Sequence, residues 1–123
     1  MWPFSRKSAD KVADLRTQSI AVMAIIEHAF DSPGPLHTPE RRQILSAWLT
    51  NFARNLGAAC TAMETGRDMA GQPISQADIR QGLKKMCQAY GSAQTIKRLE
   101  DVCGSKVRIG FERVLSEVRA TAS

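Results

Sequence analysis

Aromatic residues are scarce in this sequence: two Trp, one Tyr and four Phe make up 6% of its 123 residues. Cores with few aromatic rings and many Ala, Leu, Ile and Met side chains are typical of helix bundles. Proline and glycine are also sparse and clustered, and 43% of the residues are apolar, which excludes a disordered chain. No segment alternates apolar and polar residues for long enough to indicate a strand. The sequence therefore predicts one all-α globular domain.

Cysteine occurs at only three positions, Cys60, Cys87 and Cys103, which are far apart and show no paired spacing. An odd number leaves one thiol unpaired in any disulfide scheme, and each cysteine lies on or beside an apolar helical stripe. We therefore expect reduced thiols in the core. A zinc site could combine these cysteines with His28 or His37, but no two of the five residues have the short spacing of a zinc ligand pair. We therefore predict no metal and no other cofactor.

Long apolar runs are missing as well. The most apolar stretch, residues 20–30, is too short to span a bilayer and is interrupted by Glu27 and His28. It follows Asp10 and Asp14 and lacks a clean cleavage site, so it does not resemble a secretory signal. These absences predict a cytoplasmic protein.

Motifs that carry catalytic chemistry are absent from the sequence. There is no phosphate-binding Gly-Lys loop and no nucleophile elbow. Phosphotransfer domains of the four-helix type carry a His followed at three and four residues by Lys and Gly, a pair that follows neither His28 nor His37. Carboxylate-bridged metal bundles need Glu-x-x-His pairs, and no Glu has a His three residues on. We therefore expect that the protein is not an enzyme.

What the sequence does contain is helical periodicity. Apolar side chains recur at alternating spacings of three and four and predict an antiparallel four-helix bundle with helices at about 8–30, 39–65, 76–90 and 93–120. Gly104 either divides the last helix or kinks it. Residues 1–7 are expected to form a flexible N-terminal segment, ahead of a single helical domain at 8–121.

The longest predicted helix, 39–65, is the one around which the others pack. Thr38 is placed to cap its first turn and Gly66 to close its last. Its apolar seam is widened by Ile44 and Trp48, which we expect to be buried. Gly57 either bends this helix or lets another helix approach closely, and we favour the close approach.

The ends of the other helices also carry local signals. Ser8 is placed to cap the first helix, and Ser75 caps the third, which ends at Gly91. The break at 31–37 contains two prolines and a glycine and is short, which predicts that the first two helices form a hairpin. The first helix becomes apolar nearly all round after Ile20, which predicts a central position or an oligomer contact.

Positive charge is concentrated in the C-terminal part of the chain. The formal net charge is +5, and residues 75–123 hold nine basic and five acidic residues. Within them, residues 83–101 (LKKMCQAYGSAQTIKRLED) resemble a helix-turn-helix unit with its turn at Gly91. That resemblance implies DNA binding, with the second helix in the major groove. The possible nucleic-acid contacts are Arg80, Lys84, Lys85, Gln94, Thr95, Lys97, Arg98, Lys106 and Arg108.

Two other interpretations of charged residues stay open. The basic residues of the C-terminal half also fit the solvated outer face of an ordinary bundle. At the N-terminus, two aromatic and two basic residues form a candidate contact with a partner protein or with an anionic membrane surface. These candidates are Trp2, Phe4, Arg6 and Lys7.

Taken together, these observations predict a non-enzymatic helical module, an adaptor, regulator or inhibitor that binds another protein and forms a homodimer. The surplus of apolar surface on the first helix and the absence of site chemistry favour this function. The alternative is a basic DNA-associated regulator that uses the helical pair at about 80–108. Peripheral membrane attachment through the N-terminal segment is the weaker alternative.

Overall fold

The computed structural model describes residues 6–28 and 31–123. These residues form five α-helices: α1 (Arg6–His28), α2 (Pro39–Thr65), α3 (Gln76–Tyr90), α4 (Ala93–Cys103) and α5 (Ser105–Thr121). No strand occurs in these two ranges, although an isolated bridge joins Arg67 to Pro73. The predicted all-α fold is confirmed. The predicted count of four helices is not confirmed: the described residues form five, because the last predicted helix is divided at Gly104, one of the two outcomes that the sequence left open.

The first helix starts earlier than its sequence signal indicated. α1 begins at Arg6, so Ser8 lies within the helix and the prediction that it is the N-cap is wrong. Arg and Lys are good helix formers, which lets the helix begin ahead of the serine. Lys7 therefore belongs to the first turn of α1, whereas Trp2 and Phe4 lie outside the described residues.

α1 and α2 form the predicted antiparallel hairpin, which is the most extensive helix pair in the fold. The Ser19 hydroxyl donates a hydrogen bond of 3.1 Å to the Ala53 carbonyl, and Arg16 forms an ion pair with Glu64. Ser19 is the polar residue in the apolar seam of α1, and this bond satisfies its hydroxyl where the two helices meet. α5 also packs against α1.

Both ends of α2 follow their sequence signals. The Thr38 hydroxyl accepts a hydrogen bond of 3.1 Å from the backbone N–H of Arg41, and Pro39 occupies the first helical position. Gly66 closes the helix with φ of 72°. These local contacts fix where α2 begins and ends.

Gly57 does not have the role that the sequence favoured. α2 runs through it without interruption, and a Cβ placed there would meet no atom within 4 Å. The predicted close approach of another helix is therefore wrong, because the helices that cover α2 pack on its other flanks.

The core draws on all five helices. Phe52 and Phe111 meet edge to face at its centre, with ring centroids 5.1 Å apart. Trp48, which was predicted to be buried, is only partly buried and packs at the edge of the core against Tyr90, with centroids 4.6 Å apart. The largest fully buried side chains are Phe52, Phe111, Leu15, Leu49, Leu56, Leu99, Leu115, Val22, Val118, Cys60 and Cys87.

The loop between α1 and α2 is fastened to the corner between α4 and α5. The N–H of Gly34 donates to the carbonyl of Val102 at 3.1 Å, and the N–H of Leu36 donates to the carbonyl of Asp101 at 2.8 Å. Gly104, with φ of 94°, turns the chain sharply at that corner. The end of α4 and the start of α2 are thereby held side by side.

Candidate functional site

A surface groove of about 410 Å³ lies between the first turns of α2 and the exposed side of α4. Its floor contains Leu45 and Val102, which are buried at 5% and 3% exposure. Two aliphatic side chains stand at its mouth, Leu36 with 51% exposure and Ile44 with 66%. The groove is lined by Leu36, Arg41, Ile44, Leu45, Gln94, Lys97, Arg98, Asp101 and Val102. We call it the α2–α4 groove.

Leu36 reaches the groove because its backbone is held from both sides. Its N–H donates to the Asp101 carbonyl at 2.8 Å, and its own carbonyl accepts a hydrogen bond of 2.9 Å from the Arg41 guanidinium. The second bond also holds Arg41 over the groove and uses one of the five donors of its guanidinium. The loop and the first turn of α2 therefore place an apolar and a cationic side chain next to each other.

Ile44 is exposed although the sequence predicted that it would be buried. α4 is only eleven residues long and packs more extensively against α5 than against α2. The flank of α2 that carries Ile44 is therefore left uncovered, while Trp48, one turn further along α2, is covered by Tyr90. The uncovered turn forms one wall of the groove.

The charges around the groove are mostly positive. Arg41, Lys97 and Arg98 line it together with one carboxylate, Asp101. Lys97 and Asp101 form an ion pair of 2.9 Å one helical turn apart, with 75% of the lysine side chain exposed. Such exposed pairs contribute little to stability, so an incoming carboxylate can compete for the lysine. Arg98 forms no ion pair with any described residue, which leaves the groove with a surplus of positive charge.

The structure divides the nine possible nucleic-acid contacts among several surfaces. Gln94, Lys97 and Arg98 come together in the α2–α4 groove. Thr95 is half-buried, and its hydroxyl lies 2.7 Å from that of Ser92, the N-cap of α4. The other five do not line the groove: Arg80, Lys84, Lys85, Lys106 and Arg108.

Arg108 is occupied by acidic neighbours. It forms ion pairs with Glu100 on α4 and Glu112 on α5, and hydrogen bonds to these two carboxylates raise the pKa of the guanidinium. Because two carboxylates surround it, Arg108 adds no net positive charge to this surface. It links α4 to α5 instead.

The packing of α3 and α4 differs from that of a helix-turn-helix unit. In such units the first helix packs across the second and supports it in the major groove. Here α3 packs against α2 and α5, and α4 packs against α5 and α2, whereas α3 and α4 share at most a marginal contact. The exposed side of α4 is therefore framed by α2, not by α3.

The three cysteines are free and buried, as expected for core thiols. Burial raises the pKa of all three thiols, and that of Cys103 rises to about 11. A thiol of this kind stays protonated at neutral pH and is a poor nucleophile. Among the described residues, no three His, Cys, Asp or Glu side chains converge in a way that could hold a metal ion.

The residues at the mouth of the groove, Leu36, Arg41 and Ile44, were not among the sequence candidates. A signal for Leu36 exists, because it is a large aliphatic residue in a short loop that is otherwise polar or rich in proline and glycine. Arg41 and Ile44 carry no comparable signal, since both match an ordinary amphipathic helix. Their role depends on which flank of α2 is covered.

Comparison of the chain with protein-family models, with curated proteins and with solved structures gives no match. Within residues 6–28 and 31–123, no helix is both long enough and apolar enough to cross a membrane.

Proposed function

We propose that this protein is a non-enzymatic helical module that binds another protein through the α2–α4 groove. One observation carries the proposal: Leu36 and Ile44 are exposed at the mouth of a groove that Arg41, Lys97 and Arg98 surround. Apolar anchors set within a polar, arginine-containing rim are the usual composition of a protein-binding surface. The module would act as an adaptor, regulator or inhibitor.

The apolar side chains favour a protein partner over nucleic acid. Phosphates would meet the cations but would leave Leu36 and Ile44 against a polar backbone, with no gain from burying them. A protein partner can cover both aliphatic side chains and still place carboxylates beside the cations. Burial of apolar surface contributes about 25 cal/mol per Å², so covering two such side chains is a substantial part of a binding free energy.

The side chains of the groove also favour binding over catalysis. Its nine lining residues include no His, Cys or Ser, and their one carboxylate, Asp101, is paired with Lys97. Nucleophilic and acid–base catalysis need a nucleophile or a titrating group within reach of the substrate. The groove offers cations, an amide and aliphatic side chains, which recognise a partner without transforming it.

The proposal can be tested by peptide display on the purified protein. A random library of 16-residue peptides is selected on immobilised wild-type protein, and the enriched pool is then measured against Ile44→Glu and Ile109→Glu. The second variant is a matched control, because Ile109 is also an exposed isoleucine on a helix, at 49% exposure, and lies outside the groove. We expect Ile44→Glu to weaken binding by about tenfold or more, a loss of at least 1.4 kcal/mol, and Ile109→Glu to leave it unchanged.

Two results would overturn the proposal. A pool that binds Ile44→Glu as tightly as wild type does not use the groove. The second candidate, a DNA-associated regulator, would be favoured if no peptide is enriched and if the protein shifts the gel mobility of duplex DNA in a way that Arg98→Glu abolishes. That candidate is supported by the position of Gln94, Lys97 and Arg98 on one exposed side of α4.

The proposal includes a homodimer, formed through α1. Ile20 and Met23 on this helix are 70% and 42% exposed. A two-fold interface places the same patch of each subunit against itself, which suits an apolar patch and does not suit a groove rimmed by like charges. The α1 surface is therefore the better candidate for contact between two copies, and it leaves the groove open to a partner.

The weaker alternative, membrane attachment through Trp2 and Phe4, is tested by vesicle binding after deletion of residues 1–7.

A further inference from the structure

We infer that the occupant of the α2–α4 groove is an amphipathic α-helix of a partner protein, with two or three large aliphatic side chains in a seam and with Glu or Asp beside them. This inference rests on the proposed function and deepens it. It adds the secondary structure and the charge of the bound segment, which follow from three properties of the groove.

The first property is that the walls of the groove offer few backbone groups to pair with an extended chain. Beyond their first turns, the backbone N–H and C=O groups of α2 and α4 bond within each helix, and in the first turns the Thr38 and Ser92 hydroxyls accept from the N–H groups of Arg41 and Thr95. In the adjoining loop, the N–H groups of Gly34 and Leu36 already donate to α4, and the Leu36 carbonyl accepts from Arg41. A strand buried here would lose water from its own backbone without gaining partners, whereas a helix satisfies its backbone internally.

The second property is length. α4 contributes lining residues from Gln94 to Val102, which at about 1.5 Å per residue is a wall of about 12 Å. That wall is matched by about two turns of a helix, which present apolar residues at positions i, i+4 and i+7 on one face. Leu36 lies near Asp101, at the end of the groove formed by the last turn of α4. Ile44 lies further along α2, towards the start of α4, so the two aliphatic side chains are spread along the length of the groove.

The third property is charge. Arg98 forms no ion pair with a described residue, Arg41 is held over the groove by its bond to the Leu36 carbonyl, and Lys97 shares an exposed pair with Asp101. Carboxylates that flank the aliphatic seam of a bound helix would meet these cations at the rim. Rim charges of opposite sign speed association and select the partner, and like charges exclude others.

The test uses a synthetic 18-residue peptide, acetylated and amidated at its ends and labelled with fluorescein. It carries Leu at i, i+4 and i+7, Glu beside the Leu seam, and Ala and Gln elsewhere. The three comparison peptides are a permutation of the same residues that breaks the seam, a version with Lys in place of Glu, and a version with Pro in its centre. Binding to the full chain is measured by fluorescence anisotropy.

We expect the acidic seam peptide to bind at least about tenfold more tightly than each comparison peptide, and its affinity to fall by about tenfold or more on Arg98→Glu. Arg113→Glu is the matched control, because it makes the same charge change at an exposed arginine of α5 outside the groove. The Arg113→Glu variant should bind the acidic seam peptide as tightly as wild type does.

The outcomes separate this inference from the proposed function. Equal binding of the permuted or proline peptide would overturn the helical occupant, and equal binding of the Lys peptide would overturn the acidic one. Display-selected peptides that depend on Ile44 but lack an acidic, helical pattern would also overturn the inference while leaving the proposed function intact. If no peptide of either kind depends on Ile44, both fail.

Discussion

Gly34 and Gly104 lie on two segments that cross so closely that neither position has room for a Cβ atom. A Cβ on Gly34 would collide with the backbone carbonyls of Glu100 and Asp101, and one on Gly104 would collide with the carbonyl of Ser32. The two glycines therefore let the 31–37 loop close against the corner between α4 and α5. This contact holds Leu36 beside α4 and completes the α2–α4 groove.

Substitution of Gly104 tests that contact. Gly104→Ala must adopt φ of 94° with a side chain and must also displace the Ser32 carbonyl. Backbone strain of this kind costs of order 1–3 kcal/mol before the collision is counted. We expect urea unfolding to show a loss of at least about 2 kcal/mol. Unchanged stability would mean that the loop does not close on this corner in solution.

Gly57→Ala is the opposite case and serves as its control. A Cβ at Gly57 meets nothing within 4 Å, and the residue lies inside α2. Alanine is favoured over glycine in a helix interior by up to about 1 kcal/mol, so we expect a gain of that size. A loss of stability in the same urea titration would indicate a helix contact at Gly57 that the structure does not contain.

Local signals predicted both ends of α2 and the start of α3, but not the start of α1. Thr38 and Ser75 could be identified as caps because each hydroxyl bonds to a backbone N–H three residues on, a contact that depends only on nearby sequence. For Gly104 the sequence left two outcomes open, a division or a kink of the last helix. The division occurs where Gly104 has φ of 94° and lies against the carbonyl of Ser32, a residue far away in sequence whose position no local pattern predicts.

The site could be predicted only in part for the same reason. Gln94, Lys97 and Arg98 were candidates because their charge or hydrogen-bonding groups are visible in the sequence. Ile44 matches the apolar seam of α2 as well as any buried residue does, and its exposure depends on how far α4 extends across that flank. A sequence pattern identifies an apolar face, but it does not show which part of that face a neighbouring helix covers.

Substitution of Trp48 tests whether its side chain stabilises the core or belongs to a free surface. Its ring packs against Tyr90 and Phe111, with centroids 4.6 Å and 5.4 Å away, but it is only partly buried. We therefore expect Trp48→Ala to lower the unfolding free energy by about 3 kcal/mol, the lower end of the range for removing a large aromatic side chain. Trp48→Phe should recover part of that loss in the same thermal or urea titration. Full stability in Trp48→Ala would place this residue on a free surface.

Cys103 should react slowly with thiol reagents in the folded protein. Because burial raises its pKa to about 11, the thiolate at pH 8 is about one part in a thousand, compared with about a quarter for an ordinary thiol. Iodoacetamide labelling followed by mass spectrometry should therefore be slow in buffer and fast in urea. Fast labelling of the native protein would contradict the burial of this thiol.

The same pKa shift gives stability a defined pH dependence. The folded state holds the Cys103 proton more tightly than the unfolded state, whose thiol has an ordinary pKa of about 8.5. The stabilisation from the buried neutral thiol is therefore complete below that pH and is lost as pH rises from there towards about 11. Cys103→Ala should make this alkaline decline less steep in urea titrations, while the buried thiols of Cys60 and Cys87, whose pKa is also raised, still contribute to it. An equally steep decline in the variant would assign the effect to other groups.

The homodimer is tested at Ile20, the most exposed large apolar side chain of α1 at 70%. Light scattering after size exclusion should give the mass of two chains for wild type, rising from monomer to dimer over a concentration series. In a two-fold contact, Ile20→Glu places one carboxylate from each subunit into the same apolar interface. Because burying two like charges together is unfavourable, this variant should remain monomeric. Ile109→Glu carries the same change on α5 and should still dimerise. A wild-type chain that stays monomeric throughout, or an Ile20→Glu variant that dimerises as wild type does, would show that the exposed face of α1 is not where two copies meet.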